Sequence, residues 1–560
     1  MSTKLLLLIA LSLLVRLPLA AQSPNYLWAK QAGGTNIDRA QNICTDPAGN
    51  VIIVGWSYSH PISFDSLSIP TGSDRLFIAK YDPAGNILWV RSGTGGTSVD
   101  ELFGVTTDAA SNVIVTGMLA NGQAIFGTDT IRKLPLGSGD NAFIVKYDAN
   151  GNELWARASS GMSVQAGLSV STDAGNNIFM SGRFAAYPAT FGTLVLNSAG
   201  PGYNSFLIKY DPAGNVIWGR RSSGTAYTTE AYGVSADTHG NAVIAGDFFG
   251  SSAPCSTIFD TITISGGNSQ DLFVAKYNNS GDILWARSVG GDCASVASSV
   301  STDAADNIYV TGWFGYGTYI SFGSTVLSNS GLWNIFIAKY DPAGNLLWVK
   351  NPASTSDDRA NAICADAAGN TFIAGRFSSP TITFGSTVLT NSSSGGSTTD
   401  MFIAKYDAAG NAVWAKNPYG NDADEAFGIC TDATGKTYIT GDFASPALIF
   451  GADTLSCASP AYQDIFLVKI DDKLETGISE NENDIDLTIY PNPGKGIFSI
   501  SATAKILQAD VVNMLGEVIY SEKINSRQAD IDLSAVARGV YFIRVYTAKG
   551  ITGKKISITR

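Results

Sequence analysis

Residues 76–90 read LFIAKYDPAGNILWV. Apolar, β-branched and aromatic residues flank the core Asp82-Pro83-Ala84-Gly85-Asn86 on both sides. Asp opens a turn, Pro presets φ at the next position, and Gly takes the left-handed conformation that lets the chain reverse. The stretch therefore predicts a β-hairpin. A second hairpin of the same type lies just upstream, in ICTDPAGNVIIVG (43–55). The pair recurs along the chain. Trp28, Trp89, Trp155, Trp218, Trp285, Trp348 and Trp414 are spaced 61 to 67 residues apart. Phe77, Phe143, Phe206, Phe273, Phe336, Phe402 and Phe466 form a second ladder. Phe64, Phe126, Phe191, Phe259, Phe322, Phe384 and Phe450 form a third, and Gly55, Gly117, Gly182, Gly246, Gly312, Gly375 and Gly441 a fourth. Four independent ladders each count seven, so the unit is present seven times.

Two hairpins make a four-stranded antiparallel sheet, the size of a propeller blade. Segments such as FGSTVL (384–389) predict an extra short hairpin between the middle strands. The last unit contains DIFLVKID (464–471) but no following tryptophan, and the missing partner stands at the front, in NYLWAK (25–30). The predicted fold is all-β: a seven-bladed β-propeller closed by the N-terminal strand, followed by a small C-terminal β-sandwich. Closure removes exposed sheet edges. An open solenoid is the alternative, and it would leave the last unit half-formed. The motifs STDAADNIYVTG (301–312) and FIAKYDPAGNLLW (336–348) resemble the bacterial β-propeller repeat family called SBBP, over roughly residues 25–471. That family has no common activity. YNNSGDILW (277–285) lacks the Asp of the pattern and TDATGKTYITG (431–441) has Lys for Asn, both tolerable turn variations.

The ends of the chain read as delivery signals. Lys4 and the apolar run Leu5–Val15 suit a signal peptide over 1–21, cleaved between Ala21 and Gln22. No other apolar run is long enough to span a bilayer as a helix. The propeller is expected over 22–471 and a polar linker over 472–484. Residues 485–560 carry their own strands and are expected to form a β-sandwich. From Glu480 onward ten Lys and Arg face nine Asp and Glu, which leaves 26 basic against 39 acidic residues upstream. This module resembles the C-terminal sorting domain of the type IX (Por) secretion system of Bacteroidetes. The carrying residues are YPNP (490–493), G-x-F-x-I (496–500), NMLGEVI (513–519), L-S-x-x-x-x-G-V-Y-F-I-R-V (533–545) and the pair Lys554–Lys555. The resemblance implies Sec export, handling by the type IX machinery through 485–560, and an extracellular or outer-membrane-surface location.

The net charge of −12 argues against nucleic-acid partners, which call for clustered Lys and Arg. A monomer is expected. Only His60 and His239 are available for imidazole chemistry, and His239 sits in the turn ADTHGN. No nucleophile motif, zinc spacing or calcium-loop motif occurs, so no catalytic, cofactor or metal residue is assigned. Cys44, Cys364 and Cys430 share a repeat position filled elsewhere by Val105, Val170, Val234 and Val300, and read as small buried side chains. Cys255, Cys293 and Cys457 fall in loop-like segments, where a Cys255–Cys293 disulfide is conceivable after export. Asp46, Asp108, Asp173, Asp237, Asp303, Asp366 and Asp432 repeat at one turn and read as hairpin formers.

One acidic feature is less regular. Asp38, Asp100, Glu101, Glu230, Asp358, Asp424 and Glu425 precede or begin the first hairpin strand in several copies. They would ring one mouth of the propeller channel, as a solvated rim or as a site for a cation such as calcium or for a basic partner. The leading functional expectation is a binding or adhesion scaffold for an unidentified surface ligand, glycan or protein. The alternatives are an extracellular polysaccharide-active hydrolase with a carboxylate pair in the channel, which needs only two acids at fixed spacing, and a structural surface protein without a specific ligand.

Overall fold

The hairpin of 76–90 forms as its sequence dictates. In the computed structural model, Leu76–Tyr81 and Ile87–Arg91 pair antiparallel across the Asp82–Asn86 turn. The structure describes residues 24–70, 76–93, 100–120, 122–133, 139–185, 187–200, 202–250, 254–267, 269–352, 354–392, 398–457, 462–471, 487–513, 518–547 and 550–559. The signal cleavage site Ala21–Gln22 lies outside them. Every regular element is a β-strand, and among the described residues no helix is long and apolar enough to cross a membrane. The chain divides into two compact units, residues 1–472 and 473–560.

The first unit is built of seven antiparallel four-stranded arrangements. In the first, the strands Asp38–Thr45, Val51–Ser57, Leu76–Tyr81 and Ile87–Arg91 pair in that order. The next five repeat this order. The seventh takes Asp424–Thr431, Thr437–Phe443 and Asp464–Asp471, and its fourth strand is the N-terminal Asn25–Gly33. Pairing runs from Asn25 opposite Asp471 to Ala32 opposite Ile465. Thus NYLWAK pairs with 464–471, as its sequence predicts. The F-G segments form short hairpins such as Thr381–Phe384 with Thr387–Thr390.

Each sheet is buried on both faces, because each packs on a neighbour. The third strand of the first sheet is therefore wholly buried, a continuous apolar run broken only by Lys80. Ile52 and Val54 of the first sheet share a core with Leu102, Val105 and Phe143 of the second. Ile43, Ile53 and Phe77 of the first share another with Tyr438, Ile465 and Leu467 of the seventh. The strand Asp38–Thr45 packs against both Glu101–Thr107 and Asp424–Thr431.

The repeat residues tie neighbouring sheets together. Trp89 Nε1 donates to the carbonyl of Ala149, in the turn of the next sheet, at 3.1 Å. Trp155 does the same to Pro212 at 3.2 Å, and Trp28 to Pro83 at 3.2 Å, from the seventh sheet to the first. The turn glycine lies under the ring: a Cβ on Gly151 would stand 2.8 Å from Trp89. Trp and turn Gly are thus two halves of one contact. An ionic tie within each of three sheets fastens the third strand to the sheet's own first turn. Lys80 Nζ meets Asp46 Oδ2 at 2.9 Å, Lys146 meets Asp108 at 2.9 Å and Lys276 meets Asp237 at 2.8 Å, all buried. The turn aspartates also accept the bonds that shape the hairpin. Asp46 Oδ1 takes the amides of Ala48 and Asn50, each at 2.9 Å.

No Cys255–Cys293 disulfide forms. Cys255 packs in a core with Phe248 and Phe259, whereas Cys293 packs in the next core with Val289 and Phe314. The second unit has five strands: Leu487–Tyr490, Ile497–Val512, Val518–Asp532, Gly539–Thr547 and Gly550–Ile558. IFSIS and ADVV both belong to the single long strand Ile497–Val512. It pairs with three others and shifts register between Ser501 and Ile506. Phe498, Ile500, Val511, Ile531, Ile543 and Ile556 fill its core.

Candidate functional site

The glycine ladder shapes a cavity. Opposite every ladder glycine the first strand of the sheet carries a β-bulge, for example between Ala40 and Asn42 or between Ala231 and Gly233. The bulge brings the backbones so close that a Cβ on Gly55 would lie 1.9 Å from the Arg39 carbonyl, and one on Gly246 1.8 Å from that of Glu230. Only glycine fits. The extra residue of each bulge is left out of the pairing. These residues are Gln41, Phe103, Leu168, Tyr232, Ser298, Asn361 and Phe427, each 14 positions before its ladder glycine. All seven line a cavity of about 930 Å³ enclosed by the first strands of the seven sheets. This volume suits a small-molecule or side-chain ligand.

Around that cavity the chemistry is charged, aromatic and different in every sheet. Arg39 Nε binds Asp442 Oδ2 at 2.7 Å, and its guanidinium lies 4.6 Å from the Phe427 ring and 5.6 Å from Trp56. Arg359 lies between Trp313 at 5.4 Å and Trp333 at 5.3 Å and pairs with Asp357 at 2.8 Å. Arg183 Nη1 meets Glu230 Oε2 at 2.7 Å, and Arg376 meets Glu425 at 3.2 Å. Burial pushes the Asp442 carboxyl up to about 7, with Arg39 opposing. The Arg39, Arg183 and Arg376 pairs join neighbouring sheets, and Arg359 reaches rings of the preceding sheet, so side chains from two strands fix each other before any ligand arrives.

The seven acids singled out in the sequence fall into two registers, one residue apart. Side chains of adjacent strand residues point to opposite faces. Asp38, Asp100, Asp358 and Asp424 are buried, between 0% and 2% exposed. They brace loops. Asp358 accepts from the amides of Ser378 and Ser379 at 3.0 and 3.1 Å and from the Ser379 hydroxyl at 2.5 Å. Asp424 accepts from the Ser445 hydroxyl at 2.8 Å, Asp38 from the hydroxyls of Ser57 and Ser59, and Asp100 from the Ala120 amide at 2.7 Å. Burial raises Asp38 to about 6 and Asp424 to about 7, against the lowering effect of their serine bonds. Glu101, Glu230 and Glu425 occupy the other register. Glu101 lines the large cavity, and burial raises its carboxyl despite Arg39 and Arg183 nearby. The fold brings Glu230 together with Arg183, and Glu425 with Arg376 and Asn361.

His239 remains a turn residue. Its Nδ1 lies 2.6 Å from Asp306 Oδ2 of the next sheet, and the two residues stand with Asp237 in a group whose ligand atoms lie within 4.8 Å. Asp237 is committed elsewhere, to Lys276 and to the amides of His239 and Asn241. The group closes one inter-sheet turn contact. Sequence reading missed the bulge residues because no one residue type recurs through the seven copies; their signal is the constant 14-residue offset from glycine.

Residues 488–559 match the secretion system C-terminal sorting domain family. Export to the cell surface or extracellular space by type IX secretion follows from that match. An uncharacterized WD repeat-containing protein, L264, of Acanthamoeba polyphaga mimivirus is 26% identical over 513 residues, covering 76% of this chain and 36% of the relative. The regulatory protein FlaEY of Caulobacter vibrioides is 29% identical over 108 residues, 19% of this chain and 11% of its own length. The chain therefore spans only a minor part of these curated relatives. Among solved structures, Sqt1 from Chaetomium thermophilum aligns with TM-score 0.39 and 8% identity over 80% of this chain and all of that one. PorZ of Porphyromonas gingivalis, a surface component of the type IX system, aligns with TM-score 0.15 and 11% identity over 95% of this chain and all of that one.

Proposed function

We propose that residues 22–471 form a closed seven-bladed β-propeller that binds a ligand at the mouth of its central cavity, delivered to the cell exterior by a sorting domain over 485–560 after removal of residues 1–21 and joined to it by a linker over 472–484. Closure is supported by the pairing of Asn25–Ala32 with Ile465–Asp471, by the Trp28 bond to Pro83, and by the packing of Asp38–Thr45 on Asp424–Thr431. One observation carries the binding reading. Positions that build the sheets repeat seven times, while the seven bulge residues facing the cavity are Gln, Phe, Leu, Tyr, Ser, Asn and Phe. Aromatic, amide and paired arginine groups of this kind suit a glycan or a protein surface.

The hydrolase reading has two cross-strand carboxylate pairs to rest on, Glu230 with Asp247 and Glu425 with Asp442. Glu230 Oε2 is held by Arg183 at 2.7 Å and by the Tyr232 hydroxyl at 2.8 Å, and Asp247 is 1% exposed. In both pairs the glutamate is engaged by an arginine, Arg183 or Arg376, and Asp442 is paired with Arg39, so binding is the better account. The test is a glycan array probed with the secreted chain, alongside Phe427→Ala and Asn361→Ala variants. Retention of a specific glycan by the parent, weakened by both variants, is the expected result. Binding that neither variant alters would place the ligand elsewhere and sink the cavity assignment.

A further inference from the structure

Beside the large cavity, on the border of the fourth and fifth sheets, lies a second one of about 440 Å³. Glu230, Tyr232, Asp247, Phe249, Asp292 and Tyr316 line it, and no Lys or Arg does among the described residues. Its three acids differ in state. Glu230 is already neutralised by Arg183 at 2.7 Å. Asp292 is exposed, and the Thr318 hydroxyl and the Thr318 and Tyr319 amides, at 2.5, 2.7 and 2.8 Å, hold its carboxyl below the usual range, so it carries a fixed charge at the entrance. Asp247 is 1% exposed, and its Oδ1 has no hydrogen-bond partner among the described residues.

The chain contains its own comparison. Asp442 occupies the position of Asp247 in the seventh sheet, each one residue after its ladder glycine. Asp442 is satisfied by Arg39 of the following sheet, whose guanidinium lies over Trp56 and Phe427. Counted from the ladder glycines, the aromatic equivalents are present: Tyr232 stands where Phe427 does, and Trp313, which lines the large cavity and carries Arg359 at 5.4 Å, stands where Trp56 does. The arginine is not. Its equivalent, 16 residues before Gly312, is Val296. In place of an arginine there is an open cavity with two further exposed rings, Tyr316 at 70% and Phe249 at 40%. Tyr316 is fixed by its edge contact with Trp333 at 4.8 Å.

We propose that this cavity binds an organic cation, a guanidinium or alkylammonium group, between the Asp247 carboxylate and the rings of Tyr232, Phe249 and Tyr316, in the way the chain binds its own Arg39 at Asp442. A buried carboxylate needs a hydrogen-bonding or cationic partner, and aromatic faces attract cations most where water is excluded. The assignment deepens the binding reading above and rests on it. An arginine or lysine side chain of a partner and a free amine share this chemistry.

Binding should also release protons. Burial pushes Asp247 up to about 7, helped by Glu230 and opposed by Gln270, Tyr232 and Arg183. These groups, with Asp292 across the cavity, are the polar and charged neighbours it faces. A cation needs the ionised form, so affinity rises with pH through about 7.

The test titrates L-arginine amide into the secreted chain by calorimetry, with glucose and cellotetraose as neutral controls. Asp247→Asn should weaken arginine amide by about tenfold or more, the value of a charge-assisted contact. Val296→Arg should abolish binding, because the chain then supplies the cation itself. Equal affinity in parent, Asp247→Asn and Val296→Arg overturns the proposal, as does binding of cellotetraose in preference to arginine amide. Comparison of peptides carrying Arg with free amines separates the two sources of the cation. If Phe427→Ala loses a glycan while arginine amide never binds, this inference fails and the cavity reading stands. If arginine amide binds as expected and no glycan does, the glycan reading fails and this inference stands.

Discussion

The sharpest test of how the repeat is held together is Lys80→Met. Lys80 Nζ sits 2.9 Å from Asp46 Oδ2, and their side chains are 2% and 0% exposed. Methionine keeps the volume and removes the charge. Removing one partner of a buried pair costs about 3–5 kcal/mol. Asp46 retains the amides of Ala48 and Asn50 and the Asn50 side chain at 2.8 Å, so the low end, about 3 kcal/mol, applies. At about 2.1 cal/mol/K per residue over roughly 450 residues, the unfolding entropy is about 0.9 kcal/mol/K, so the melting temperature falls by about 3 °C. Adding Asp46→Asn should recover part of the loss, because the stranded charge is then gone. The acid limb supplies a second readout. Burial alone would raise Asp46, but Lys80 and Asn50 outweigh it and hold the carboxyl below its ordinary value of 3.8. A depressed folded pKa contributes stability above the unfolded value, and that stability is lost as pH falls through the folded one. The parent should lose this share below about pH 4, and Lys80→Met should show a flatter acid limb. Unchanged melting in Lys80→Met, or no recovery in the double variant, would refute the ionic tie.

The tryptophans offer an internal control. Among the described residues the buried Trp414 Nε1 has no hydrogen-bond partner. Trp89→Phe, which loses the bond to Ala149, should therefore cost about 1 kcal/mol more than Trp414→Phe in urea unfolding; equal costs would show that the indole bond contributes nothing. The thiols should be silent. Burial raises Cys293 to about 11 and Cys44, Cys364 and Cys430 further still, so Ellman's reagent should find at most one fast thiol, Cys457, in the native protein and six in denaturant. Two or more fast native thiols would contradict the packing.

Much of the fold was legible because its causes are local. D-x-x-G-N specifies a hairpin within five residues, and the seventh sheet could be completed from NYLWAK because a strand without its tryptophan and a tryptophan without its strand stood at opposite ends. The long strand Ile497–Val512 was not legible, since a register shift at Ser501–Ile506 leaves no turn residue to mark it. The buried Lys–Asp pairs within the sheets were hidden for a different reason. Lys80 interrupts an apolar run, but its partner Asp46 lies on another strand and already had a sufficient role in its own turn. The acids preceding the first strand were seen as one set because adjacent strand positions are adjacent letters. The pleat separates them, sending Asp358 into serine bonds and Glu425 toward Arg376.

That separation bears on where function can lie. A ladder glycine is fixed by a carbonyl less than 2.1 Å from its absent Cβ, and this constraint is satisfied by backbone alone. The bulge residue opposite is therefore relieved of any duty to the sheet: it makes no ladder pair and its side chain leaves the packed face. A position without structural duty is free to differ, and the seven bulge residues do differ. The same logic reaches Asp247. Its neighbours at the equivalent position, Arg183 and Arg376, are satisfied by acids and Asp442 by an arginine, so the ring of charges is nearly self-complementary. Asp247 keeps one carboxylate oxygen, Oδ1, without a hydrogen bond among the described residues, and desolvating it costs stability. The fold has no need of that carboxylate, since Trp313 and Trp56 occupy the same position in other sheets. A costly group that the scaffold does not require is best explained by what it holds.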